Sequence, residues 1–107
     1  MNKKTVSQAT EDPTLLLVSG TKGDKSADKQ YVKKLANAIV SVFYKYDTAK
    51  LRCVGAAAIN NAVKAFIIAK GETSNNEDKI KIDPTFTSVT FEGKEKTAIL
   101  LTVTNDN

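Results

Sequence analysis

The sequence predicts an α/β chain folded as a two-layer α+β sandwich, in the order β-α-β-α-β-β. Three observations carry this. Apolar residues recur at helical spacing over about 27–46 and 56–70. Compact or alternating apolar runs at 14–19, 51–54, 79–91 and 97–104 have strand character. Turn-forming residues, among them Gly20, Gly71 and Gly93, separate these segments. Two helices on one face of a mixed four-stranded sheet make a two-layer sandwich, whose opposite sheet face, carrying Leu100, is open to solvent or covered by a partner.

Each element has its own warrant. Residues 1–13 are polar and aperiodic and end at Pro13, which predicts a flexible N-terminal tail before a single domain over 14–107. The run from Thr14 to Ser19 is a buried strand closed by Gly20. A loop with two glycines and two lysines follows, and Ser26 or Asp28 can cap the next helix. That helix carries a core stripe of Val32, Leu35, Ala36, Ile39, Val42, Phe43 and Tyr46. Leu51–Val54 gives a second strand, so the first three elements make a right-handed parallel βαβ unit. The second helix runs from Ala56 to Lys70 on Ile59, Ala62, Val63, Phe66 and Ala69, with Gly71 as its stop. A third strand opens with Ile80 and Ile82, is interrupted by Pro84, and resumes with Val89 and Phe91 inward. Glu92-Gly93-Lys94 makes a short hairpin turn. In the last strand Ile99, Leu101 and Val103 alternate with Ala98, Leu100 and Thr102.

Composition narrows the function. With 41% apolar and 26% charged residues the chain is an ordinary globular one rather than disordered. Leu15–Val18 is far too short to cross a membrane, and one cysteine cannot form an internal disulfide. The expected compartment is intracellular, cytoplasmic or nucleoid/nuclear. The net charge of +4 is unevenly spread. Residues 15–70 hold ten Lys or Arg against three Asp, and residues 71–107 hold four Lys against seven Asp or Glu. Such a basic segment either attracts a polyanion or simply solubilises the surface.

Catalysis is not expected. The chain has no histidine, so Ser-His and Cys-His nucleophile arrangements are excluded. Cys53 lies between core residues and reads as a small buried apolar group. No cluster has metal-ligand spacing, and no cofactor is implied. The loop Gly20-Thr-Lys-Gly-Asp-Lys-Ser26 sits between a strand and a helix, as a P-loop does. It has Asp24 where the glycine before the lysine is required and Ser19 where the earlier glycine belongs, which argues against nucleotide hydrolysis.

Two segments carry a resemblance. The stretch Val54-Gly-Ala-Ala-Ala-Ile-Asn-Asn-Ala-Val-Lys-Ala65 resembles the strand-to-helix signature of the stage V sporulation protein S family. Ile82-Asp-Pro-Thr-Phe-Thr87, followed by Glu92-Gly-Lys-Glu-Lys-Thr-Ala-Ile99, is similar to that family's second motif. With the preceding strand and helix the resemblance covers about residues 14–104. It extends in fold to the Alba group, whose members bind DNA or RNA as dimers. What the resemblance implies is a non-catalytic, sequence-tolerant binder of DNA or RNA that assembles as a homodimer or higher homo-oligomer. The Alba group carries basic residues in the turn before the second helix. Ala56, Ala57 and Ala58 stand there in this sequence. The alternative is a protein-interaction or oligomeric regulatory module without nucleic-acid binding.

The candidate binding residues are Lys22, Lys25, Lys29, Arg52, Asn60, Asn61 and Lys64. Lys22, Lys25 and Lys29 gather at the start of the first helix, where free amides and the helix dipole favour an anion. Arg52 alternates with Leu51 and Cys53, so it points to the open sheet face if they face the core. Asn60 and Asn61 offer amides beside the small residues of the Gly55 turn. Lys64 lies one turn further on. Phe86 is either an exposed stacking group or, as expected, an anchor for the loop after Pro84. Glu92 and Glu95 are expected to neutralise Lys94 and Lys96 in the hairpin.

Overall fold

A computed structural model describes residues 7–8, 12–21 and 23–106. Among them the elements are β1 (Ser7–Gln8), β2 (Leu15–Val18), α1 (Lys25–Tyr46), β3 (Ala49–Cys53), α2 (Ala56–Ser74), β4 (Ile80–Phe91) and β5 (Lys94–Asn105). The strands form one sheet in the order β1-β2-β3-β5-β4. β2 and β3 are parallel, joined through α1, and the other neighbouring pairs are antiparallel. The predicted β-α-β-α-β-β order and mixed sheet are therefore present. The two-residue β1 is an addition, lying within the segment read as a tail and paired to β2 at Ser7↔Leu17 and Gln8↔Leu16.

One face of the sheet and both helices share the core. Ala49, Leu51 and Cys53 of β3 are fully buried, and Leu35, Ala36 and Ile39 of α1 and Ala62, Ala65 and Ala69 of α2 close over them. Alanines at the α2 positions let its backbone lie close to the sheet and to α1. Lys50 and Arg52 take the alternate positions of β3 and point to the opposite, open face.

Several boundaries move, each for a local reason. α1 begins at Lys25 because Asp24, rather than Ser26 or Asp28, is the cap; its carboxylate accepts the Ala27 N–H at 2.7 Å. The other end of α1 stays at Tyr46 as expected, where Asp47 adopts the left-handed conformation (φ 63°) and donates its N–H to the Phe43 carbonyl. α2 does not stop at Gly71 but runs one further turn to Ser74, burying Thr73 completely. Glu77, at φ 66°, then turns the chain toward β4.

Pro84 does not interrupt β4, which is continuous from Ile80 to Phe91. β4 is the edge of the sheet, where the missing N–H of a proline costs no ladder bond. The hairpin is consequently long rather than short. Its turn is Glu92-Gly93, both at positive φ (52° and 77°), as a two-residue turn between twisted strands requires. β3 pairs with β5 only from Ile99 to Val103, so the outer parts of β4 and β5 extend past the rest of the sheet as an arm. Phe91, on this arm, is 57% exposed, and Phe86, opposite Ile99 at its base, is 81% exposed, so neither packs inward as expected.

Two expected core residues, Tyr46 and Val63, are also exposed, while Tyr31 and Asn61 are buried. Tyr31 accepts the Ser19 N–H on its hydroxyl at 2.9 Å, which supplies the partner a buried phenol needs. No helix among the described residues is long and apolar enough to cross a membrane.

Candidate functional site

The carboxyl ends of β2, β3 and β4 lie at one end of the sheet, because the three strands run in the same direction. The β2–α1 loop, the Gly55 turn and the hairpin tip therefore share that end. Ligands of open α/β sheets collect at such an end, where helices start and loops are free to vary.

On the helix side, α1 and α2 enclose a cleft of about 450 Å³ lined by Lys25, Asp28, Lys29, Val32, Asn60, Asn61 and Lys64. Five of the seven predicted site residues thus come together. Helical spacing is the cause: Lys25 and Lys29 are one turn apart on α1, and Asn60 and Lys64 are one turn apart on α2. The three lysines are exposed and form no ion pair among the described residues. Asp28 is the acid of the cleft, and its carboxylate accepts the Thr21 hydroxyl at 3.1 Å. Lys22 lies outside the described residues.

Asn61 has a different role from the one its side chain invites. It is 6% exposed, and its Nδ2 donates to the carbonyl oxygens of Ser19 and Gly20, each at 3.1 Å. It fastens the β2–α1 loop to α2. The small residues of the turn serve the same contact. A Cβ on Gly20 would lie 3.1 Å from the Cβ of Ala57. The backbone that approaches Ala56–Ala58 is therefore the chain's own loop. Gly55, at φ 88° and ψ 163°, occupies a region open almost only to glycine, and it starts α2 without a side-chain cap.

Arg52 is not part of this cleft. It sits half-buried on the open face, opposite Leu17 on β2 and Leu100 on β5. There it borders a second groove of about 410 Å³ that also involves Val54, Val89, Phe91 and Lys96. Its neighbour Lys50 is engaged with Asp12 at 3.3 Å. The hydroxyl and N–H of Thr14 donate to the Asp12 carboxylate at 2.6 and 2.9 Å. Those bonds first, and Lys50 second, hold its pKa below the usual value. Cys53, on the core side of the same strand, has its thiol pushed up to about 11 by burial.

The hairpin lysines are a signal that the sequence carries and that local charge balance hides. Lys94 and Lys96 are on the open face, in register with Phe91 and Val89, whereas Glu95 points to the other face. The period of two, applied through the turn, separates the charges that proximity in sequence would cancel. The family model described as Stage V sporulation protein S matches residues 25–106. The matched region begins with α1 and includes the cleft and the hairpin.

Proposed function

Because the chain belongs to the stage V sporulation protein S family, we propose that this sporulation-related protein is a non-catalytic nucleic-acid binder. Its phosphate contacts are made by the cleft between α1 and α2. The observation that carries this reading is the convergence of Lys25 and Lys29, in the first turns of α1, with Lys64, two turns into α2, on one concave surface. Three cations with no ion-pair partner among the described residues, two of them beside the positive end of the α1 dipole, attract a phosphodiester chain without reading its sequence. Asp28 weakens the field but is held by Thr21 at the margin of α1.

The test is fluorescence anisotropy with DNA and RNA of both strandedness, at several salt concentrations. The triple variant Lys25→Ala, Lys29→Ala, Lys64→Ala changes only exposed side chains, so its fold should persist. Its logarithmic salt slope on duplex DNA should be shallower by about 2–3, at roughly 0.9 per lost phosphate contact. An unchanged slope in a folded variant removes the cleft from the phosphate path.

A second reading, a protein-interaction or oligomeric module, is favoured by a specific surface. Val63 and Ile67 are exposed one turn apart on α2, and Phe86 is 81% exposed on the edge strand. Self-association through this side is compatible with the first reading, since two copies extend the basic surface. Light scattering on Ile67→Lys and Phe86→Ser variants separates the two. Loss of the oligomer with binding of short oligonucleotides retained supports the combination. Absence of nucleic-acid binding by wild type leaves assembly alone.

A further inference from the structure

We propose that the open face of the sheet is a second nucleic-acid contact, a platform on which Phe91 stacks a base of a single strand while Lys96 and Arg52 hold the adjoining phosphates. This rests on the nucleic-acid reading of the chain and adds to it a site, a chemistry and a preference for strandedness.

The strand registers assemble the platform. Arg52 faces Leu17 and Leu100 across the open side, and further along Lys96 pairs with Val89 and Lys94 with Phe91. Ala98 lies between these two rows on the same face and is only 2% exposed. A methyl group on an open sheet face is covered only where larger neighbours rise around it, so the surface is concave there. Phe91 remains 57% exposed, with the Lys96 Nζ over its ring at 5.2 Å from the centroid, so a base stacks on the other face or takes the place of that ammonium. Arg52 and Lys96 make no ion pair among the described residues.

An exposed aromatic ring bordered by such cations matches a nucleotide in both of its parts. The ring takes the flat face of a base, and the ammonium and guanidinium take phosphate. In a duplex the bases are already stacked and paired, so the ring gains nothing from it. The competing occupant, an apolar segment of another protein, would strip water from Arg52 and Lys96 without supplying counter-charge, which is costly. The groove also opens at the same end of the sheet as the cleft between the helices.

The experiment measures binding of labelled oligo(dT) and of a duplex of equal length by wild type, Phe91→Ala and Phe91→Tyr. Phe91→Ala should bind oligo(dT) about tenfold more weakly, as expected for one lost stacking contact. It should bind duplex within about twofold of wild type, with the salt slope unchanged. Phe91→Tyr should restore oligo(dT) binding, and in wild type the Phe91 ring resonances should move upfield on adding oligo(dT). Equal oligo(dT) affinity for Phe91→Ala and wild type overturns the platform and leaves the cleft reading intact. Failure of wild type to bind either nucleic acid overturns both.

Discussion

Replacing Asn61 by alanine should destabilise the fold by about 2 kcal/mol, at roughly 1 kcal/mol for each of two hydrogen bonds. The side chain is 6% exposed and both of its bonds, at 3.1 Å, end on main-chain carbonyls of the β2–α1 loop. Ser19 and Gly20 are half-buried, so water reaches the orphaned carbonyls in part and keeps the cost from rising further. For a domain of this size the change corresponds to a fall in Tm of about 10 °C. Urea unfolding followed by circular dichroism measures it. Asn61→Asp sharpens the test, because a carboxylate would set negative oxygens against two carbonyl oxygens. At neutral pH it should cost more than alanine. In the folded state the introduced carboxyl is held protonated, so its pKa lies above the ordinary ~3.9. That variant is therefore least handicapped below pH ~4 and loses stability as pH rises through the raised value. A loss below about 0.5 kcal/mol for Asn61→Ala, or an Asn61→Asp variant equal to wild type at neutral pH, would refute the role of Asn61 as the fastener of the loop.

Gly71 is inside α2, has no positive φ, and leaves open space where a Cβ would stand, so Gly71→Ala should stabilise by about 0.5–1 kcal/mol in the same urea assay. A helix-terminating glycine would give the opposite sign. The Cys53 thiol, raised from 9.0 to about 11, should resist alkylation by iodoacetamide in the native protein at pH 8. Its folded pKa lies above the unfolded one, so its contribution is fully present below pH 9 and is lost as pH rises toward 11. The loss is on the order of 2 kcal/mol and should be absent from Cys53→Ala, which urea titrations at pH 8 and pH 10.5 compare.

Much of the cleft is legible without coordinates. Lys25 and Lys29, and Asn60 and Lys64, are each four residues apart in segments of clear helical period, so each pair shares a face by geometry alone. That the two faces meet depends on the crossover from β2 to β3 and on the alanines that bring α2 close to α1. Strand alternation between Leu51 and Cys53 likewise puts Arg52 on the open face, where the structure has it. Asn61 departs from expectation because an amide near a turn looks the same in sequence whether it serves a ligand or the chain's own carbonyls. Phe91 departs from it because an apolar residue in a strand pattern is expected inside, whereas here it falls on the arm beyond the β3 pairing. Phe86 departs from it because a strand broken at Pro84 would make Phe86 a loop anchor, whereas β4 runs straight through both.

The sequence by itself determined the order of elements, most of the core stripes and the basic character of the α1 start. These follow from local periods, which act over a few residues. Only the tertiary structure decided that β4 is the edge and can carry Pro84 and that the hairpin outruns its neighbours. It also decided that Gly20 and Ala57 touch. These depend on strand order, on register and on contacts between residues distant in sequence, and no local pattern encodes which strand will have a neighbour on only one side.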